Sequence, residues 1–204
     1  MVEVYADVTC PFAYAGLGAL MRHRHERGRD DVVIRVRAWP LELVNGKPLD
    51  PLHTAEHVEA LRAQVTPDLF AHFEPAHFPR TALPALALVA AAYRVGDRVG
   101  EDVSMALRRA LFEEATDISG PEVLADVARA HGLGAPGPAD DAAVLADWHE
   151  GQARGVQGSP HFFCGDADAF CPSLDISRDG GGLLHLRRDT DALDDFLAGC
   201  FALR

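Results

Sequence analysis

Cys10 precedes Pro11-Phe12-Ala13 at the start of an apolar-periodic stretch, while Gly158-Ser159-Pro160 lies near the other end of the chain. Proline suits the first helical position, because the amide hydrogen it lacks would have no partner there. Cys10 is thus predicted at a helix N-terminus, where unpaired N–H groups and the positive end of the helix dipole favour thiolate over thiol. Cysteines so placed fall from a pKa of about 8.5 into the range ~3.5 to 7.5, so the expectation is a nucleophilic sulfur at neutral pH. The alternative is a small buried apolar residue, the usual fate of a free cysteine. Ala13 occupies the place where a Cys-x-x-Cys pair carries its second sulfur. A mixed disulfide at Cys10 then waits for an external thiol.

Pro160 supplies the second half of the expected site. An X-Pro bond is the only kind that commonly becomes cis, and a cis bond at Ser159-Pro160 would turn the chain sharply and bare the Ser159 backbone. Phe12, Tyr14, Trp39, His161 and Phe162 are expected to line the groove between the two loops, with core packing as the alternative for each. His161 is additionally a candidate to reach Cys10 and stabilise its thiolate or move a proton.

The other candidate groups carry less. Cys164 and Cys171 flank Gly165-Asp166-Ala167-Asp168-Ala169-Phe170, which reads as a hairpin, so their sulfurs are expected to face each other as reduced thiols. Cys200 falls on the apolar side of the last helix. His53 and His57 stand one helical turn apart, with His72 and His77 nearby, yet no His-Glu-x-x-His pattern accompanies them and no metal is expected. Asp189, Asp191, Asp194 and Asp195 read as the charged start of the last helix.

These groups need elements to hold them. Val2 to Val8 alternates as a buried strand, and a helix follows Cys10 and fades at Arg27-Gly28. Val32 to Ala38 is β-branched and alternating, and Trp39-Pro40 stops it. From Asn45-Gly46 the period becomes helical over 54–65, 84–95, 102–115 and 122–131, with a linker at 134–138. A helix over 140–152, strands at 161–164 and 183–186, and a helix from Thr190 or Asp191 to Phe201 complete the chain. The expected organisation is an α/β fold of order β-α-β, helical insert, α-β-β-α: residues 1–45 and 139–204 form one domain, and 46–138 the insert.

Composition narrows the partners. The 204 residues, 48% of them hydrophobic, suffice for one sizeable core, or for a core with an inserted subdomain. A net charge of −12 argues against nucleic acid, whose binders concentrate Lys and Arg. No stretch reads as a membrane span, and Met1-Val2-Glu3-Val4-Tyr5 runs into a strand without a basic, apolar leader, so a cytoplasmic protein is expected.

Asp7-Val8-Thr9-Cys10-Pro11-Phe12-Ala13-Tyr14 resembles the Asp-x-x-Cys-Pro-aromatic-Cys-Tyr opening of DsbA-like thioredoxin-fold proteins, especially the FrnE branch with its inserted helical domain. Trp39-Pro40-Leu41-Glu42-Leu43, Phe112-Glu113-Glu114-Ala115-Thr116-Asp117-Ile118 and Gly155-Val156-Gln157-Gly158-Ser159-Pro160 resemble that branch's further landmarks, so the resemblance spans nearly the whole chain. It implies a thioredoxin-like fold, a site at Cys10, Pro11, Phe12, Ala13 and Pro160, and a Ser159 backbone that pairs with the main chain of a peptide or of glutathione. The departure is Ala13. The related glutathione-dependent 2-hydroxychromene-2-carboxylate isomerases and kappa-class transferases carry Ser-Pro-aromatic where this chain has Cys10-Pro11-Phe12.

The leading expectation is therefore a thiol-disulfide oxidoreductase acting through Cys10 alone, on a small thiol or a disulfide-containing substrate. The alternatives are a thiol-dependent isomerase or transferase, and a redox-inactive peptide-binding module. No tightly bound cofactor is expected beyond glutathione or another low-molecular-weight thiol as co-substrate, and a homodimer is left open.

Overall fold

The computed structural model describes residues 1–202 of the chain. Strand β1 (Val2–Ala6) lies at the centre, parallel to β2 (Ile34–Ala38) and antiparallel to β3 (His161–Cys164), which pairs in turn with β4 (Ala167–Phe170). The sheet order is β2-β1-β3-β4, with Val4 opposite Val36 on one side and Phe162 on the other. Helix α1 (Pro11–Glu26) covers one face; its Gly16 permits a close approach, since a Cβ there would sit 3.3 Å from Pro160 Cγ and 3.6 Å from Phe162 Cζ.

Five helices intervene between β2 and the return to the sheet: α2 (Leu41–Asn45), α3 (Pro51–Gln64), α4 (Leu83–Val95), α5 (Asp97–Glu113) and α6 (Pro121–Ala130). Helix α7 (Pro138–Ala153) then covers the opposite sheet face, where a Cβ on Gly151 would meet Trp39 Cζ3 at 2.7 Å. The architecture is a thioredoxin-like α/β fold carrying an inserted helical segment.

The insert also solves the problem of the sheet's outer strand. An edge strand presents unpaired backbone groups, which cost free energy when buried and invite pairing with other chains. Along β2, Ile34 N–H donates to Glu101 Oε1 (2.9 Å), Val36 N–H to Tyr93 Oη (2.9 Å) and Ala38 N–H to Asp147 Oδ2 (3.0 Å). Tyr93 returns its own proton to Ile34 O at 3.1 Å. Glu101 is further held by a two-pronged pair with Arg24 of α1, both contacts at 2.9 Å, so one carboxylate joins α5, α1 and β2.

One expectation is corrected in the second half of the chain. The segment around 183–186 does not join the main sheet: β6 (Leu184–Arg188) pairs with β5 (Leu174–Arg178) as a separate two-stranded ribbon, and β4 takes its place beside β3. The physical reason is Gln64, whose side chain donates to Leu184 O (3.1 Å) and accepts from Leu186 N–H (2.9 Å), clipping β6 to α3. Strand β5, rich in charge, carried no strand signal in the sequence. Helix α8 (Thr190–Ala202) closes the chain, with Leu193 and Leu197 buried.

Removing the Tyr93 hydroxyl in Tyr93→Phe leaves a buried donor on Val36 and a buried acceptor on Ile34 unmet. We expect a loss of about 1–3 kcal/mol in stability, read as a lowered urea midpoint with an unchanged slope.

Candidate functional site

Cys10 is the N-cap of α1 and Pro11 its first helical residue. The side chain on which the turn depends is Asp7, just past the end of β1. Its Oδ1 accepts from Thr9 N–H and the Thr9 hydroxyl, each at 2.7 Å, and its Oδ2 accepts from Leu41 N–H at 2.6 Å. The Asp7 backbone contributes as well: its N–H donates to Ser159 Oγ (2.9 Å), and its carbonyl accepts from Arg108 Nη2 (3.1 Å). One residue thus binds the Cys10 turn, the start of α2, helix α5 and the Ser159-Pro160 loop.

The Ser159-Pro160 bond is cis, and Cys10 Sγ donates to Ser159 O at 3.1 Å. The structure therefore brings Cys10, Pro11, Ala13, Ser159 and Pro160 to one place from opposite ends of the chain. Phe12, beside them and half-buried, packs its ring 5.0 Å from that of His57 on α3.

The expected lowering of the Cys10 pKa is corrected. The thiol is only 3% exposed, and burial pushes its pKa up, outweighing the Ser159 hydroxyl and the N–H groups of Ala13 and Phe12, which favour the thiolate. The Asp7 charge adds to the upward shift. A helix N-terminus lowers a thiol pKa only while the anion stays solvated or well compensated, and here the loss of water dominates. At rest the sulfur is a protonated thiol donating to a carbonyl.

Four expected groove residues lie elsewhere. Tyr14 packs between Phe70 and Phe112, with ring centres 5.5 and 5.4 Å away, inside the interface with the insert. Phe162 is fully buried on the α1 face, against Phe196. Strand alternation sends its neighbour His161 to the opposite face, where Nδ1 accepts from Gln157 N–H (3.1 Å) and Nε2 meets Asp168 Oδ2 (2.9 Å), so it does not serve Cys10. Trp39 packs edge-on against Tyr5, centroids 6.3 Å apart, under α7. Each is a large residue near a loop, and each is taken up by core packing, Trp39 with its buried indole N–H unpartnered.

The cysteines are also re-sorted. Cys164 stands opposite Ala167, not Cys171, and its neighbour is Cys200, whose thiol pKa is raised by burial and by Cys164. Cys171 N–H instead donates to Pro160 O at 3.0 Å. All four cysteines are free. Among the described residues, no group of three or more His, Cys, Asp or Glu side chains gathers as a metal site; the His53 and His57 rings touch at 4.3 Å, and burial lowers His57 to about 4.

Sequence reasoning missed Arg108 and the setting of His57. Arg108 is fully buried beneath the Cys10 turn, paired with no carboxylate among the described residues, and burial lowers its pKa to about 10. The available signal was a guanidinium on the apolar face of α5, in line with Ser104 and Leu111. His57 Nε2 meets Arg178 Nη2 of β5 at 3.3 Å, beside a cavity of about 560 Å³ lined by Glu56, Glu59, Gln64, Arg178 and Leu184. A cleft of that volume is in the range that takes a small organic ligand.

A model of the DSBA-like thioredoxin domain matches residues 1–177. No curated protein sequence matches. Among solved structures, a Nitrosomonas europaea protein proposed to be a protein disulfide isomerase superposes with TM-score 0.66 at 15% identity, covering 98% of this chain and 97% of that one. The cytosolic disulfide reductase DsbM of Pseudomonas aeruginosa gives 0.61 at 17% identity, covering 100% and 99%. A 2-hydroxychromene-2-carboxylate isomerase gives 0.60 at 17% identity, covering 83% and 87%. At such identities the likeness establishes the fold. No helix of the described residues is long and apolar enough to cross a membrane.

Alkylation of Cys10 by a small reagent should rise with pH and show its midpoint above the ordinary cysteine value of about 8.5. Ser159→Ala removes a hydroxyl that favours the thiolate, and should slow the alkylation at pH 8 by about tenfold or more. Stopped-flow labelling between pH 6 and pH 10, followed by peptide mapping, checks both; a midpoint below that of free cysteine would contradict the burial argument.

Proposed function

Because the chain belongs to the DSBA-like thioredoxin domain family, we propose that it catalyses thiol–disulfide exchange with Cys10 as its nucleophile and no cysteine at position 13, as an enzyme of the FrnE-like branch acting in the cytoplasm. The carrying observation is Cys10 Sγ at the N-terminus of α1, 3.1 Å from Ser159 O across the cis Ser159-Pro160 bond. The Ser159 backbone would hold the extended main chain of a peptide or of a glutathione-like thiol, in the manner of one rung of strand addition. The substrate disulfide would then lie against Cys10, with Phe12 at the rim.

Ionisation is the barrier that such an enzyme must lower. The resting thiol is protonated, so a partner that competes for Ser159 O removes the acceptor of the S–H bond. The Ser159 hydroxyl and the N–H groups of Phe12 and Ala13 are already aimed at the sulfur when the proton leaves. No second cysteine stands at position 13 to resolve the mixed disulfide.

A second reading is favoured by the burial of that thiol. A sulfur that stays protonated suits a thiol-dependent isomerase or transferase, in which a small thiol such as glutathione serves as cofactor and Cys10 only orients it; the cavity lined by His57, on whose ring Phe12 packs, is of a size for such a thiol.

Treating the reduced protein with glutathione disulfide separates these readings. Exchange predicts that glutathione adds first at Cys10, whatever the later fate of that adduct, and that Cys10→Ser forms none and loses disulfide reductase activity. A Cys10→Ser protein that still binds glutathione reversibly with undiminished affinity would instead support the cofactor reading.

A further inference from the structure

We propose that Cys171 is the resolving thiol for Cys10, taking the part that Ala13 leaves empty: the two residues are tethered to adjacent carbonyls of one dipeptide. Cys10 is held to Ser159 O through its thiol at 3.1 Å, and Cys171 to Pro160 O through its backbone N–H at 3.0 Å. The inference rests on the reading of Cys10 as the nucleophile in thiol–disulfide exchange.

The fold delivers Cys171 to this place by an unusual turn. The β3–β4 ladder ends with His161 opposite Phe170, and Cys171 adds one more rung to Pro160 before the chain leaves the sheet. Its φ of +47° lies in the left-handed region, which costs any residue bearing a Cβ. The chain then runs to Ser173, whose Oγ lies 3.4 Å from where a Cβ on Gly16 of α1 would be. Cys171 thus occupies the seam between Pro160 and α1, the helix that Cys10 caps. Both cysteines are 3% exposed.

The two thiols feel each other. A charge on Cys10 raises Cys171, whose thiol burial pushes up to about 12, so Cys171 rests protonated. Burial raises Cys10 as well, but the Ser159 hydroxyl and the N–H groups of Ala13 and Phe12 favour its thiolate, which suits it to the first attack. Cys164 is not a competitor, because it lies at the far end of the hairpin beside Cys200.

The chemistry balances without a further oxidant. The Cys10 thiolate attacks one sulfur of a substrate disulfide; a Cys10–substrate S–S bond forms and one substrate thiolate leaves, taking up a proton. Cys171 then attacks Cys10 Sγ, its proton passing to the second substrate thiolate as that leaves, so that a Cys10–Cys171 bond forms. The substrate disulfide gains two electrons and the cysteine pair loses them. Two equivalents of a small thiol restore the resting pair.

The test follows the reduced full-length chain after addition of glutathione disulfide, with acid quenching, intact mass and peptide mapping. The wild type should pass through an adduct on Cys10 to a species lighter than the reduced protein by two hydrogens, yielding a peptide that links Cys10 to Cys171. In Cys171→Ala the adduct should persist at least about tenfold longer, while Cys164→Ser with Cys200→Ser should resolve as the wild type does. An adduct that persists unresolved in the wild type, or a link from Cys10 to Cys164 or Cys200, overturns the inference and leaves the nucleophile reading intact. No adduct in any protein overturns both. The wild-type peptide map decides the matter even where Cys171→Ala does not fold.

Discussion

The site is organised by the full satisfaction of one buried carboxylate. Asp7 is shut away from water, a position that costs several kcal/mol unless every oxygen finds a donor. Its two oxygens accept three hydrogen bonds, from Thr9 twice and from Leu41. Those donors are the turn before Cys10 and the first turn after β2, so neither loop can move without stranding the carboxylate. Its backbone adds Ser159 and Arg108 to the same knot. The convergence of residues 7–10 with residues 159–160 is thus a by-product of burying a charge. Burial acts on the carboxylate as well, pushing its pKa up against the pull of its three donors and the Arg108 charge.

The inserted helices belong to this arrangement. They close the free edge of β2 with Glu101 and Tyr93, while α7 supplies Asp147. They also place Arg108 under the active-site turn and His57 against Phe12. An edge strand sealed by side chains is rigid and protected from intermolecular pairing, and it holds β1 in register beside it. The accuracy with which β1 delivers Asp7 and Cys10 therefore derives partly from contacts more than 60 residues away in sequence, such as the 67-residue separation of Ile34 and Glu101.

Much of this was legible in the chain. Periodicity located most long helices to within three residues at each end, from stripes of Leu, Val and Ala, but placed the start of α5 five residues late, since its first turn at Asp97 carries no such stripe. The thiol at the helix start was marked by local residue types, whereas the cis bond before Pro160 was expected chiefly from the family resemblance. What sequence could not supply was the side of each element on which a residue would fall. His161 and Phe162 are adjacent and both aromatic, yet strand alternation sends one to Asp168 and the other to Phe196. The pairing of Cys171 with Pro160, instead of with Cys164, depends on where β4 starts, and a four-residue strand with exposed Asp168 and Phe170 announces no register. Strand β5 is held by Gln64 through its partner β6, a long-range contact with no local signature.

The raised Cys10 pKa follows from the same economy of burial. The loss of hydration is the largest influence on the sulfur and the Asp7 charge adds to it, so the Ser159 hydroxyl and the N–H groups of Ala13 and Phe12 do not offset the upward shift. Ser159 is the point at which that balance can be altered. Its carbonyl takes the thiol proton, while its hydroxyl, which accepts from Asp7 N–H, still has a proton to give to the sulfur. An extended main chain that donates an N–H to the carbonyl would withdraw the group that holds the thiol neutral and leave in place the group that favours the anion. A thiol that is quiet alone and nucleophilic only when a partner lies along Ser159 would be protected from adventitious oxidation by its own burial, since oxidation follows thiolate character and exposure.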